Sequence, residues 1–294
     1  MSGGPVTGGE VGPALARYAY QLLDIYHAVI YLAPPAQKAL REIGLERPWS
    51  RYFASRSAPL GAVDAPLVTA LFYHFKPSMV AAELPRAWDA AGPRDVLDAR
   101  LRGADLALRE LAGDLLDGRD LAEAAALAGK AAGCCAPQGR PLGAANAVLP
   151  VPEEPYLALW QASTTLREYR GDGHVTALAQ AELDGVEALV TITAAGGERR
   201  ASIQARRGWT DEEWTAGQRR LAGRGLLTDG GELTEAGRAV RQGVEDLTDR
   251  LALPALRPLG ADGVHRMIDL VRPAVETIAG KLRLRAPKPP VGTA

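Results

Sequence analysis

The part of the chain best equipped for chemistry is Arg170-Gly171-Asp172-Gly173-His174, which combines three ionisable side chains with two glycines. This composition predicts a turn that leads into a helix near His174, with Asp172 as the N-cap. The positive end of the helix dipole would disfavour the imidazolium form, and a neutral histidine suits acid or base catalysis near pH 7. We therefore take His174, Asp172 and Arg170 as the candidate catalytic group. The alternative is a capped turn in which Arg170 pairs with Asp172.

Two tyrosine–histidine pairs in the first half of the chain are candidate ligand-binding residues. They are Tyr26-His27 and Tyr73-His74, each on a segment with helical spacing of apolar residues. Either histidine also fits a helical core in which a hydrogen bond satisfies the imidazole. Junctions between two parts of a protein are preferred places for pockets, so these residues are expected to meet His174 there.

The elements that must position these residues are helices. Hydrophobic residues make up 47% of the 294 residues, alanine and leucine are abundant and β-branched runs are scarce, which predicts a mostly α fold. A segment rich in Pro, Gly and Asn is the best candidate for a linker. The predicted order is a disordered start (1–12), a helical domain (13–137), the linker (138–153), a second domain (154–284) and a disordered tail (285–294).

The sequence of the second half predicts helices, one short strand near Ser202 to Ala205, and a two-stranded hairpin from Leu226 to Leu233. A capping box, in which Thr210 and Glu213 satisfy each other's backbone N–H groups, starts the helix before the hairpin. Thr234 is the expected N-cap of the long helix that follows.

The two halves of the chain share a short stretch of similar sequence. Residues 58–69 align with residues 181–191, with one extra residue in the first segment. This match indicates that the first half is a degenerate helical copy of the second, although chance matches also arise in a chain rich in alanine and leucine.

The stretches 219–227 and 229–238 carry a family resemblance. They resemble the end of a MarR recognition helix, its wing, and the Leu-Thr-x-x-Gly start of the next helix, seen here in Leu233, Thr234 and Gly237. The similarity covers about 100 residues. It implies a MarR-like winged helix with a small β-wing in the second half, and two winged-helix-like halves if the first is a copy.

The whole chain also resembles an uncharacterised actinobacterial family of helix-turn-helix proteins. The stretches that carry this resemblance include 26–29, 52–54, 58–61, 139–146, 170–174 and 208–214. The resemblance supports the fold and implies no particular activity.

The charges of the second half argue against the reading of duplex DNA. The first turn of the recognition helix holds Asp211, Glu212 and Glu213, where a major-groove reader needs cationic or amide side chains. Residues 209–234 contain three arginines and five acids. Such acids would oppose the release of counterions that drives DNA binding, although acids also favour the N-terminus of any helix.

A basic cluster just before this helix is the counter-signal. Arg199, Arg200, Arg206 and Arg207 could contact a phosphate backbone if the protein binds DNA. The alternative is that these arginines are solvated at a β-turn.

The remaining composition bounds the classes of function. The net charge is −1 and the pI about 6.5, so the chain lacks the overall basic excess of a dedicated nucleic-acid binder. No apolar run is long enough to cross a membrane and no secretory signal is visible, so a cytoplasmic location is expected. Cys134 and Cys135 are adjacent and are expected to be reduced. No metal site, phosphate-binding loop or nucleophile elbow is present, and no cofactor is predicted.

The leading functional hypothesis is a winged-helix scaffold that binds a small organic ligand between its halves and acts on it by acid/base chemistry. The alternative is a MarR-like DNA-binding transcriptional regulator, with the four arginines on DNA phosphates. A second alternative is a DNA repair or self-resistance enzyme. A homodimer is compatible with any of these.

Overall fold

The computed structural model describes residues 9–290 and is mostly helical. Fifteen α-helices lie in this range, joined by short turns and three 3-10 segments. In chain order they are α1 (Pro13–Leu32), α2 (Pro34–Arg41), α3 (Pro48–Ser57), α4 (Ala65–Phe72), α5 (Pro77–Ala81), α6 (Leu84–Ala90), α7 (Pro93–Ala112), α8 (Arg119–Ala132), α9 (Pro141–Ala147), α10 (Pro155–Gln180), α11 (Gly185–Ala194), α12 (Arg200–Arg207), α13 (Asp211–Gly223), α14 (Glu235–Leu256) and α15 (Gly260–Leu282).

Local sequence signals set many of these boundaries. Seven of the helices between residues 9 and 290 begin with proline, whose missing N–H costs nothing at the first helical position. The predicted capping box of α13 is confirmed, with Thr210 Oγ1 accepting from the Glu213 backbone N–H and the Glu213 carboxylate from that of Thr210. Thr234 caps α14 as predicted, accepting from the Gly237 backbone N–H at 3.0 Å.

The main hydrophobic core surrounds α10. Helix α10 is buried along most of its length and packs against α1, α8, α9 and α14. Helix α15 covers the other face of α1. Segments from both sides of residues 138–153 therefore contribute to one continuous core.

Two smaller clusters lie beside this core. One joins α11, α13 and α14 around Trp214 and Leu221. The other is aromatic and joins α3 and α4 through Phe53, Phe72 and Phe75. The candidate functional residues lie where these two clusters meet α10.

Two predicted elements are wrong. Residues 170–174 do not form a turn but lie inside α10, because the helix is held by burial on several sides and tolerates both glycines. Residues 202–205 are helical in α12, where Ile203 is the buried anchor. The predicted hairpin is reduced to one antiparallel bridge between Leu227 and Leu233 among the described residues.

The ends and the middle segment also differ in part from expectation. Residues 9–12, predicted to be disordered, are packed: Val11 is buried and the Gly9 carbonyl accepts from the Ala261 N–H. Residues 1–8 and 291–294 lie outside the described residues. The segment predicted as a linker contains α9, which packs on α10, and the domain division itself stays a prediction.

Candidate functional site

A cavity of about 400 Å³ opens between α1, α3, α4, α10, α12 and α14. Its lining is rich in arginine and in aromatic side chains. The charged and imidazole groups that line it are Arg17, Arg56, Arg167, Arg170, Arg207, His74, His174, Asp24 and Glu245. Its apolar walls include Tyr20, Tyr52, Phe72 and Phe75. The cavity is therefore suited to a small molecule that carries negative charge.

Four of the five arginines share two buried carboxylates in pairs. Glu168 receives a two-point contact from Arg56, at 2.8 and 2.9 Å, and a third from Arg167 at 2.6 Å. The Asp249 carboxylate accepts hydrogen bonds from Arg17 at 2.7 Å and from Arg170 at 3.1 Å. Each carboxylate thus meets two guanidinium groups, so the wall of the cavity keeps an excess of hydrogen-bond donors.

Arg207 is the arginine of the cavity that lacks a carboxylate partner among residues 9–290. Its guanidinium lies over the Phe75 ring, 4.3 Å from the ring centre, and its Nε is buried without a hydrogen-bond acceptor. Burial lowers the pKa of Arg207 below its ordinary range. An unpaired, partly desolvated cation is costly, and an anion bound in the cavity would remove that cost.

His74 and His174 stack face to face, with ring centres 5.8 Å apart. Burial lowers the pKa of His174 to about 4, with nearby Arg170 and Arg241 acting in the same direction and Glu245 against it. Burial likewise lowers the pKa of His74 to about 3. Both imidazoles are therefore neutral at pH 7, as expected for His174, but because of burial and not because of a helix N-terminus.

The cavity brings together His174, Arg170 and His74 from the predicted site, and four other predicted residues lie elsewhere. Asp172 faces α9, where it accepts from the Gly143 N–H at 2.8 Å, and burial raises its pKa to about 7. Arg170 pairs with Asp249, so the alternative Arg170–Asp172 pair is wrong. Tyr26 is fully buried and donates to the Tyr156 carbonyl.

His27 and Tyr73 are occupied by structural contacts. Both ring nitrogens of His27 have partners, at 2.9 Å to Thr164 and 3.2 Å to Tyr31. The Tyr73 hydroxyl donates to the Leu183 carbonyl at 2.7 Å and ties α4 to the start of α11. Neither side chain lines the cavity.

Helices α12 and α13 form two consecutive helices joined by a tight turn. Gly208 adopts a left-handed conformation with φ of +80°, and residues 208–210 connect the helices. A three-residue turn that contains glycine is typical of a helix-turn-helix unit. A family model described as "Helix-turn-helix family" matches residues 16–284.

The chain belongs to this helix-turn-helix family. No curated protein and no solved structure matches the chain.

In this family member the N-terminal turn of α13 is held by the chain itself. Glu213 pairs with Lys76 at 2.8 Å, and Asp211 pairs with Arg200 at 2.6 Å. The Trp209 indole donates to the His74 carbonyl at 2.9 Å. The acids of α13 are thus partly neutralised, and the start of α13 is anchored to the segment after α4.

The four arginines expected on a DNA backbone have different surroundings. Arg207 turns into the cavity, Arg200 pairs with Asp211, and Arg206 pairs with Glu198. Arg199 is exposed and without a carboxylate partner in residues 9–290. The DNA-backbone role assigned to these arginines remains a prediction.

Sequence reasoning missed the basic wall of the cavity. Arg17, Arg56 and Arg167 come from α1, α3 and α10, which are far apart in the chain. One signal was available: Arg56 follows Trp49, Tyr52 and Phe53 on one short helix, and a charge on an aromatic face needs a buried partner.

Within residues 9–290, no helix combines the length and apolar composition that a bilayer span requires.

Proposed function

We propose that this helix-turn-helix family protein binds a small organic anion in the cavity between α1, α10, α12 and α14. The observation that carries this proposal is Arg207, which lines the cavity, has no carboxylate partner in residues 9–290 and has a buried Nε without a hydrogen-bond acceptor. An anionic group bound there would accept charge-assisted hydrogen bonds from it, which are stronger than neutral ones.

The size and walls of the cavity indicate the kind of molecule. A volume of 400 Å³ lies within the range of small-molecule sites and corresponds to about thirteen water volumes of ~30 Å³. Aromatic rings of Phe72 and Phe75 sit behind the guanidinium groups of Arg56 and Arg207. A flat apolar body with one acidic group satisfies both the rings and the unpaired charge.

The test uses benzoate and its neutral analogue benzamide as probes. The chain has four histidines, so the ring signals in NMR spectra report on few positions. Benzoate is expected to shift the signals of His74 and His174 and to leave buried His27 in place. Benzamide is expected to bind at least about tenfold more weakly, because it lacks the charge that pairs with Arg207.

Arg207→Met is expected to weaken benzoate binding by at least about tenfold while leaving benzamide binding unchanged. Arg206→Met is the matched control, since Arg206 lies next to it on α12, pairs with Glu198 and does not line the cavity. Equal affinities for the two probes, or unaltered benzoate binding by Arg207→Met, would contradict the proposal.

Family membership favours a second candidate, a DNA-binding regulator with a MarR-like arrangement of α11 to α14. The turn of residues 208–210 and the bridge between Leu227 and Leu233 support it. Exposed Arg199 and Arg219 are the cations that could reach phosphates.

Fluorescence anisotropy with the duplex upstream of the protein's own gene separates the two candidates. A regulator would bind this duplex in preference to a scrambled one, with affinity that falls steeply as salt rises. The double change Arg199→Ala and Arg219→Ala would then weaken binding and reduce the salt slope. Equally weak binding to both duplexes would contradict the regulator.

A further inference from the structure

The orientation of the proton on His174 can be worked out from its neighbour on α14. His174 Nδ1 lies 2.9 Å from Thr248 Oγ1. The Thr248 hydroxyl already donates its hydrogen to the Val244 carbonyl at 2.7 Å. A hydroxyl has one hydrogen, so this oxygen can only accept from the ring. His174 Nδ1 is therefore the protonated nitrogen.

The other nitrogen of the ring then carries a lone pair. His174 lines the cavity, and its Nε2 has no hydrogen-bond partner among residues 9–290. Guanidinium N–H groups could donate to this lone pair, but no arginine between residues 9 and 290 makes a hydrogen bond to it. His174 Nε2 is thus a fixed acceptor exposed to the space where a ligand would lie.

His27 also has a threonine hydroxyl beside its Nδ1, but its Nε2 has a partner within the protein. Its Nδ1 lies 2.9 Å from Thr164 Oγ1, and that hydroxyl donates to the Trp160 carbonyl. The Tyr31 hydroxyl occupies the second nitrogen at 3.2 Å. A threonine behind the ring orients both histidines, but a protein hydroxyl saturates His27, whereas His174 is left open towards the cavity.

We infer that His174 determines ligand specificity, because its Nε2 selects organic acids that also carry an O–H or N–H donor. This inference rests on the anion-binding function proposed above. Thr248 is the positioning residue, since it fixes which nitrogen of the ring accepts. The ligand class is a hydroxylated, amino- or amide-bearing acid, with its acidic group towards the arginines and its donor towards His174.

The test compares 3- and 4-hydroxybenzoate with their methyl ethers, 3- and 4-methoxybenzoate. At least one hydroxy acid is expected to bind about tenfold or more tightly than its ether, because the ether leaves Nε2 unpaired. Thr248→Val is expected to reduce this preference to less than about threefold, since the ring loses the acceptor that fixes its tautomer. Thr248→Ser keeps a hydroxyl and is expected to keep the preference.

Long-range ¹H–¹⁵N spectra of the unliganded protein provide a readout that a purely structural role of Thr248 would not move. They are expected to show His174 protonated at Nδ1 in the wild type and in Thr248→Ser, and mixed tautomers in Thr248→Val. Wild-type protein protonated at Nε2 would overturn the inference, and so would equal binding of ethers and hydroxy acids. If benzoate binds without any hydroxyl preference, the anion site stands and this inference fails. If none of these acids binds, both fail.

Discussion

Glu168→Gln is expected to lower the free energy of unfolding by about 3–5 kcal/mol, the cost of breaking a buried ion pair by removing one partner. The Glu168 side chain is 1% exposed and that of Arg56 is 9% exposed. Glutamine would leave Arg56 and Arg167 desolvated without a negative charge between them. Urea unfolding at pH 7, followed by circular dichroism, measures the difference.

The same carboxylate makes stability depend on acid pH. Burial opposes ionisation of Glu168, but Arg167 and Arg56 overcome it and lower its pKa from an ordinary 4.5 to about 2. The unfolded chain therefore takes up a proton before the folded one does. The stabilisation is complete above about pH 4.5 and disappears as the pH falls towards 2, a change of ~3 kcal/mol. Glu168→Gln is expected to lack this part of the acid transition.

Glu42→Gln is the matched control. Glu42 also pairs with a cation, Lys38, but both side chains are largely exposed. Its loss is expected to change stability by less than about 1 kcal/mol, as usual for a surface ion pair. A similar effect of the two substitutions would mean that the charges around Glu168 are reached by water and that the basic wall is not held by this carboxylate.

Gly237→Ala is expected to destabilise the protein by about 3 kcal/mol or to displace the hairpin. A Cβ atom at Gly237 would lie 2.0 Å from the Leu226 carbonyl oxygen and 3.1 Å from a Leu233 methyl group. Leu233 forms the antiparallel bridge with Leu227, and the Leu226 carbonyl accepts from the Thr234 N–H, so the backbone would have to move. Thermal unfolding measures the loss of stability, and amide hydrogen exchange at residues 226–233 shows where it occurs.

Gly243→Ala on the same helix provides the control. A Cβ atom there meets nothing within 4 Å, and the residue is exposed. Alanine favours a helix interior over glycine by about 0.5–1 kcal/mol, so this variant is expected to be slightly more stable. If Gly237→Ala also left the stability unchanged or raised it, α14 would not lie as close to the Leu226 carbonyl as the structure places it.

The sequence alone determined the elements governed by local chemistry. Proline at first helical positions and the capping residues Thr210 and Thr234 act on N–H groups within a few residues, so their effect needs no distant partner. The resemblance to the helix-turn-helix family depended on short contiguous stretches between residues 26 and 214, and the family match over residues 16–284 agrees with it.

Tertiary structure decided the conformation of the glycines around Asp172 and the directions in which His174 and Asp172 point. Residues 170–174 read locally as a turn, yet α10 runs through them because neighbouring helices bury it along most of its length. Packing outweighs the propensity of two glycines, which costs only about 1 kcal/mol each. His174 thereby faces the cavity while Asp172 faces α9.

The cavity could not be derived from spacing, because its five arginines come from four helices and two of its ion pairs join residues far apart in the chain. Arg56 meets Glu168 across 112 residues, and Arg17 meets Asp249 across 232. Ion pairs of this kind form only where packing removes water from both partners, and that depends on the assembled helices. The sequence set which helices form and where they start; the fold decided which charges became buried together.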